Sequence, residues 1–225
     1  MPSKALRDLT RVSPAPGSGR GHPERRSRPR GWRFVIPVLL FGAVAALILR
    51  ATLVDFFYIS SESMTPALQP GDGLLVDRTA YDGMPERGDV VVFDGAGTLV
   101  PYRSANPIDG LLKSMRLTGN GDYFVKRVIA VEGDSLSCCD ADGLLELNGS
   151  PLHEPYVRPG DTSSDVVFDV TIPAGRIWVM GDHRSNSADS RALLGAPGGG
   201  MIPADRVLGR VDNVVWPLSR IGLEP

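Results

Sequence analysis

The run "FVIPVLLFGAVAALIL", Phe34 to Leu49, has no side chain that carries a charge or a hydrogen-bonding group. Such a run has to be withdrawn from water, into a protein core or into lipid. Arg50 and "ATLV" follow it. From Phe34 to Val54 a helix rising about 1.5 Å per residue spans roughly 31 Å, the thickness of a hydrocarbon core. Arg50 then sits near the outer end, where its long stem can reach the interface. Pro37 falls in the first turn, which tolerates it. A cleaved leader would have a shorter apolar region and a small-x-small site after it, and "LRATLVDFF" offers a poor one. The sequence therefore predicts one uncleaved transmembrane helix over residues 34–54.

Charge gives this helix a direction. Residues 1–33 hold nine Lys and Arg against Asp8 and Glu24, a balance of +7, while the whole chain carries -2 and the remainder therefore -9. A basic tail before an apolar helix and an acidic domain after it follow the positive-inside pattern. The expected topology is a single pass through the cell membrane, with the N-terminus cytoplasmic and the rest extracytoplasmic. The tail has no aromatic interleaving before Trp32 and no helical period, so a nucleic-acid partner is not expected. Residues 11–33 are rich in Pro, Gly, Ser and Arg and should be disordered.

After the helix the chain changes character. Short β-branched runs recur: "GLLVDR" (73–78), "DVVVFD" (89–94), "YFVKRVIAV" (123–131), "LLELNG" (144–149), "DVVFDV" (165–170), "RIWVMGD" (176–182) and "RVDNVVW" (210–216). Gly-Asp dipeptides at 71, 88, 121, 133, 160 and 181 punctuate them. Gly accepts positive φ and Asp bonds nearby backbone N–H groups, so each marks a turn. The expected fold is mainly β: an antiparallel, folded-over pair of sheets over residues 55–225, with a smaller β insertion at about 135–174. Residues 95–120 break the rhythm and read as a long loop or partly helical insertion. Cys138 and Cys139 are the only cysteines. Adjacent Cα atoms lie about 3.8 Å apart across a trans peptide, closer than ordinary disulfides tolerate, so a tight turn is expected there, with a vicinal bridge as the alternative in an oxidising compartment. No metal or cofactor is implied.

The chemistry starts from "YISSESMTPAL" (58–68), which crowds serines where the chain leaves the apolar helix. A serine nucleophile needs a base within reach and donors for the oxyanion. His183, in "GDHRSNSADSR", keeps a Ser-His-Asp triad open. Lysine offers a second route. The chain has 21 Arg but only Lys4, Lys113 and Lys126, and Lys126 lies inside an apolar strand. Arg cannot lose its proton in a protein, whereas a desolvated Lys can. Strand alternation puts Lys126 on one face with Phe124 and Val128, and Arg127 on the other, solvated or paired. A surface Lys-Arg pair on an edge strand would explain the same pattern.

The segments "SESMTP", "GDGLLVDR", "GDYFVKRVIAVEGD" and "GDHRSNSADSR", in this order after one apolar helix, resemble the four motifs of the bacterial type I signal peptidases. The resemblance covers roughly residues 34–218. Self-cleaving repressors share the Ser-Met motif but carry a DNA-binding domain and no anchor. Ala67 departs from the family, which often has Thr there. The resemblance implies a membrane-bound serine endopeptidase that removes N-terminal signal peptides from exported preproteins. It implies Ser63 as nucleophile, Lys126 as general base, and an oxyanion hole made by the Ser63 N–H and the Ser61 hydroxyl. It implies Ser187 as the group orienting Lys126, with Asp182, Arg184, Asp189 and Arg191 bracing the site. A substrate pocket would be lined by Ile59, Met64, Leu68 and Val125. Implied partners are preproteins with small residues at -1 and -3, membrane lipid, and, functionally, the secretion translocase. The alternatives are a Ser-His-Asp protease using His183 and a non-catalytic, membrane-tethered β binding domain.

Overall fold

The structure is a computed structural model that describes residues 32–100 and 122–225. The N-terminal tail and most of the 95–120 segment discussed above lie outside the described residues. The chain divides into two compact units, Met1–Gly42 and Ala43–Pro225.

A helix, α1, runs over Trp32–Thr52 with Pro37 inside it. Phe34, Leu39, Leu40 and Phe41 are all exposed along it. Among the described residues no helix is long and apolar enough to cross a membrane. Val54, expected at the end of the helix, instead opens a strand.

The second unit is built on an antiparallel sheet of seven strands. They are β1 (Val54–Tyr58), β2 (Gly73–Asp77), β3 (Val90–Asp94), β4 (Tyr123–Val131), β9 (Arg176–Met180), β10 (Ile202–Pro203) and β11 (Val207–Trp216). Their order across the sheet is β1-β2-β11-β3-β4-β9-β10. A smaller antiparallel sheet, ordered β7-β6-β5-β8, is made of β5 (Ser135–Cys138), β6 (Leu145–Leu147), β7 (Ser150–Pro151) and β8 (Phe168–Thr171). The mainly β reading therefore holds, and β1 is a strand that the sequence runs named above do not include. The run at 165–170 pairs only from Phe168 onward.

Central strand β3, "VVVFD", is buried on both faces at its first four residues, so the sheet is covered on both sides and alternation disappears there. One cluster packs Ile59, Met64, Leu68, Leu74, Val76 and Val214 together. A second joins the smaller sheet to the main one through Leu136, Leu145, Phe168, Trp178 and Met180. Burying each such Leu, Val or Met contributes about 1.5–3 kcal/mol. These contacts fix the segment after β1, the middle of β4 and the end of β9, where the polar residues collect.

The Gly-Asp turns bear out the reasoning from dipeptides. Gly71, Gly88, Gly133 and Gly160 all have positive φ. Asp72 accepts from the Gln69 N–H, Asp89 from Glu86 and Asp134 from Val131. Cys138 and Cys139 form a disulfide across a cis peptide, with Cα atoms 3.0 Å apart. The trans spacing that argued against a bridge does not apply to that geometry.

Candidate active site

The segment after β1 closes into a turn at Ser63–Ala67. The Thr65 N–H donates to the Glu62 carbonyl at 3.0 Å and the Leu68 N–H to Met64 at 2.9 Å. Met64 and Leu68 point into the core and are almost fully buried. The turn is thereby pinned from below, and Ser63 is held at its top. Arg220 pins the following loop: its Nε donates to Asp72 Oδ1 at 2.9 Å and its Nη2 to the Ala67 carbonyl at 3.0 Å.

Strand β4 brings Lys126 to this turn. Its Nζ donates to Ser63 Oγ at 2.6 Å and to its neighbour Val125 O at 3.1 Å. Only 3% of Lys126 is exposed. Among the described residues no carboxylate lies within ion-pair distance of it. Burial pushes its pKa from the usual 10.5 down to about 8, against a weaker upward pull from the Asp189 and Asp182 charges. Part of the population is therefore a free amine at neutral pH. The Ser61 hydroxyl sits 3.2 Å from Ser63 Oγ.

A cleft of about 180 Å³ opens over these atoms, lined by Tyr58, Ile59, Ser60, Ser61, Ser63, Met64, Tyr123, Phe124, Val125 and Lys126. Three of the four expected pocket residues, Ile59, Met64 and Val125, line it. Leu68 does not: it is buried in the core beneath the turn, because a residue four after Met64 follows it to the inner side. Tyr58, Tyr123 and Phe124 were not anticipated. They lie at facing ends of β1 and β4, and strand ends reveal their neighbours only once pairing is known.

The segment 181–191 packs against the Ser63 turn. Asp182 takes two hydrogen bonds from Arg127, Nε to Oδ1 at 2.9 Å and Nη2 to Oδ2 at 2.7 Å. Arg184 pairs with Glu154 and donates to the carbonyls of Gly181 and Ser163. Asp189 accepts from the Gly181 N–H at 3.1 Å and from the Arg191 guanidinium. These four buried charges are each paired, Asp182 with Arg127, Arg184 with Glu154 and Asp189 with Arg191, and none lines the cleft.

Ser187 departs from expectation. Its Oγ is buried and makes no hydrogen bond, so the contact to Lys126 Nζ is not formed. The lysine's hydrogen bonds go instead to Ser63 and to its neighbouring carbonyl. Ser187 is packed against Gly181, where an added Cβ would fall 2.3 Å from Ser187 Oγ and 2.4 Å from the Ser63 carbonyl oxygen. Gly181 is thus needed for close approach, unlike the four turn glycines that are needed for positive φ.

His183 does not reach Ser63 Oγ. Its Nδ1 lies 3.2 Å from both the Glu62 carbonyl and Thr65 Oγ1, and its Nε2 meets Arg158. With both ring nitrogens engaged elsewhere, a Ser63-His183-Asp triad has no geometry to work with.

The sequence has relatives among known proteins. A family model described as signal peptidase, peptidase S26, matches residues 32–216. The chain is 35% identical to a probable signal peptidase I of Mycobacterium leprae, over 90% of this chain and 82% of that one. It is also 35% identical to signal peptidase I of Mycobacterium tuberculosis, over 89% and 77% of the two chains. With probable signal peptidase I-1 of a Synechocystis species it shares 32% identity, over 86% and 89%. Similarity that runs from the start of α1 to the end of β11 settles the family: the chain belongs to the signal peptidases of peptidase family S26.

Proposed function

We propose that this signal peptidase cleaves its preproteins with Ser63 as nucleophile and Lys126 as general base. One observation carries the reading: a buried lysine amine, with no carboxylate partner among the described residues, lies 2.6 Å from the Ser63 hydroxyl. Lys126 in its free-amine form takes the Ser63 proton as Oγ attacks the scissile carbonyl. The Ser63 N–H and the Ser61 hydroxyl supply donors for the oxyanion. The ammonium then returns the proton to the leaving amine, and a water, deprotonated by Lys126, releases the acyl group.

The same reading sets the enzyme at a membrane surface. The uncharged run Phe34–Leu49 acts as its anchor, with the basic tail on the cytoplasmic side. Phe56 and Tyr58 on β1 and Trp216 on β11, the strands on either side of β2, add an exposed aromatic patch. Tyr58 and Trp216 both pair with Gly73 in register. An added Cβ at Gly73 would fall 3.1 Å from Trp216 Cβ. Aromatic side chains gathered in this way suit the headgroup layer. The small cleft fits preproteins with small residues at -1 and -3, delivered by the secretion translocase.

The test is incubation of the purified protein with a preprotein. Ser63→Ala should leave the fold intact and abolish cleavage. The rate–pH profile of the wild type should rise along an acidic limb near pH 8, where Lys126 loses its proton. Cleavage persisting in folded Ser63→Ala protein removes the nucleophile assignment.

A further inference from the structure

We propose that His183 is a positioning residue for the turn that carries Ser63, locked in a single tautomer by Arg158. The inference rests on Ser63 being the nucleophile. The His183 ring is buried, with 5% of the residue exposed, and it does not line the cleft. Its Nε2 meets Arg158 Nη1. A guanidinium only donates, so Nε2 is the acceptor and carries no proton. In that tautomer Nδ1 carries the proton. Nδ1 faces the Glu62 carbonyl and Thr65 Oγ1, each at 3.2 Å. A carbonyl oxygen only accepts, and the Thr65 hydroxyl already donates to that same carbonyl at 2.9 Å. Both groups therefore accept from the one Nδ1–H.

The His183 backbone N–H adds a third hold, donating to the Ser63 carbonyl at 3.1 Å. The turn is thus gripped at Glu62, Ser63 and Thr65 by one residue of the 181–191 segment. Arg158 is itself fixed. Its N–H donates to the Asp182 carbonyl at 2.9 Å. Asp161 nearby accepts from the Ser185 N–H at 3.1 Å and from its hydroxyl at 2.9 Å. The loop between β7 and β8 therefore takes part in placing the nucleophile, acting through Arg158 and His183 on Glu62 and Thr65.

Nucleophile placement is sensitive: a displacement of about 1 Å can cost about 10²-fold in rate. His183→Ala should lower kcat by about 10- to 100-fold with KM within about twofold, since the ring does not touch the cleft. The amide of His183→Asn stands where Nδ1 stood and can donate to Glu62, so this variant should recover most of the loss. Arg158→Ala should lower kcat in the wild-type background and add little on top of His183→Ala. Should His183→Ala fail to fold, Arg158→Ala and His183→Asn carry the same test. Imidazole 15N spectra of the full chain, with His183 assigned by comparison with His183→Asn, should show a protonated Nδ1 and a bare Nε2. A protonated Nε2, wild-type kcat in His183→Ala or Arg158→Ala, a change confined to KM, or a His183→Asn no better than His183→Ala would each overturn the proposal. An active Ser63→Ala enzyme would instead defeat the nucleophile assignment, and the tautomer measurement would stand apart from it.

Discussion

Lys126 and Arg127 are consecutive residues on β4, both buried, with side chains on opposite faces of the strand. Their surroundings are opposite too. Arg127 is held by both oxygens of Asp182, donates to the Gly88 carbonyl at 2.8 Å, and lies 4.2 Å over the Tyr156 ring. Lys126 has a hydroxyl and a carbonyl, and no counter-ion at contact distance. Withdrawing a cation from water costs several kcal/mol unless an anion compensates. On the Arg127 face the cost is offset by Asp182, and the charge becomes structure. On the Lys126 face it is not, and the cost appears as a pKa lowered to about 8. A buried cation with its anion is a brace; one without it is a candidate base. Three substitutions and one pH measurement can break or sharpen that contrast.

The largest effect should come from Lys126→Arg. It keeps charge and length, so a structural role would tolerate it. A base role would not, because guanidinium stays protonated at any working pH. Loss of a member of a catalytic unit typically costs about 10⁴-fold or more. The expected result is a folded protein whose preprotein cleavage falls to the level of Lys126→Ala. Near-native cleavage by Lys126→Arg would show that only the charge matters there, and the two faces of β4 would not differ in kind.

Asp182→Ala attacks the other face. It strands the Arg127 guanidinium in a buried site, and breaking such a pair costs about 3–5 kcal/mol. Urea unfolding should show the loss directly. A stability change within about 0.5 kcal/mol would mean that Arg127 is not braced by Asp182 in solution. Arg127→Lys is the milder version. A lysine cannot reproduce the two-pronged contact or the stacking on Tyr156, and loses about 2 kcal/mol on the scale of hydrogen bonds to charged groups. Cleavage should survive in the folded fraction.

How much of this was legible beforehand follows from the kind of information each feature needs. Strand β4 has the bounds that alternation and the Gly-Asp turns implied, Tyr123 to Val131, because both signals are local. The separation of Lys126 from Arg127 onto two faces follows from the same period. The partner of Arg127 does not: Asp182 lies 55 residues away, and no local pattern marks it. Leu68 lies outside the cleft for a related reason. The turn at 63–67 sends the chain beneath itself, and a pocket list drawn from a linear motif cannot register that reversal. Ser187 shows the limit of resemblance, since a motif position conveys a residue type but not the direction in which its hydroxyl points. His183 stands out only as a triad candidate and Arg220 not at all, because their contacts are to carbonyl groups of a remote turn.

The smallest expected effect is a pH dependence of stability, and it isolates Lys126 from everything else. Its folded pKa is about 8 against a reference of 10.5. Well below pH 8 the amine is protonated in both states, and the folded state bears the whole burial penalty. Between about 8 and 10.5 the folded state has released the proton while the unfolded state still holds it. The unfolded state then binds more protons, so this residue makes stability rise with pH across that window. From pH 7 to pH 9 the gain amounts to about 1 kcal/mol. Lys126→Met removes the amine while keeping an unbranched apolar stem, and every other titrating group is common to both proteins. The difference in unfolding free energy, variant minus wild type, should favour the variant at pH 7 and shrink by about 1 kcal/mol at pH 9. A difference independent of pH would mean that Lys126 keeps an ordinary pKa in the folded protein. Its burial would then be compensated as fully as that of Arg127.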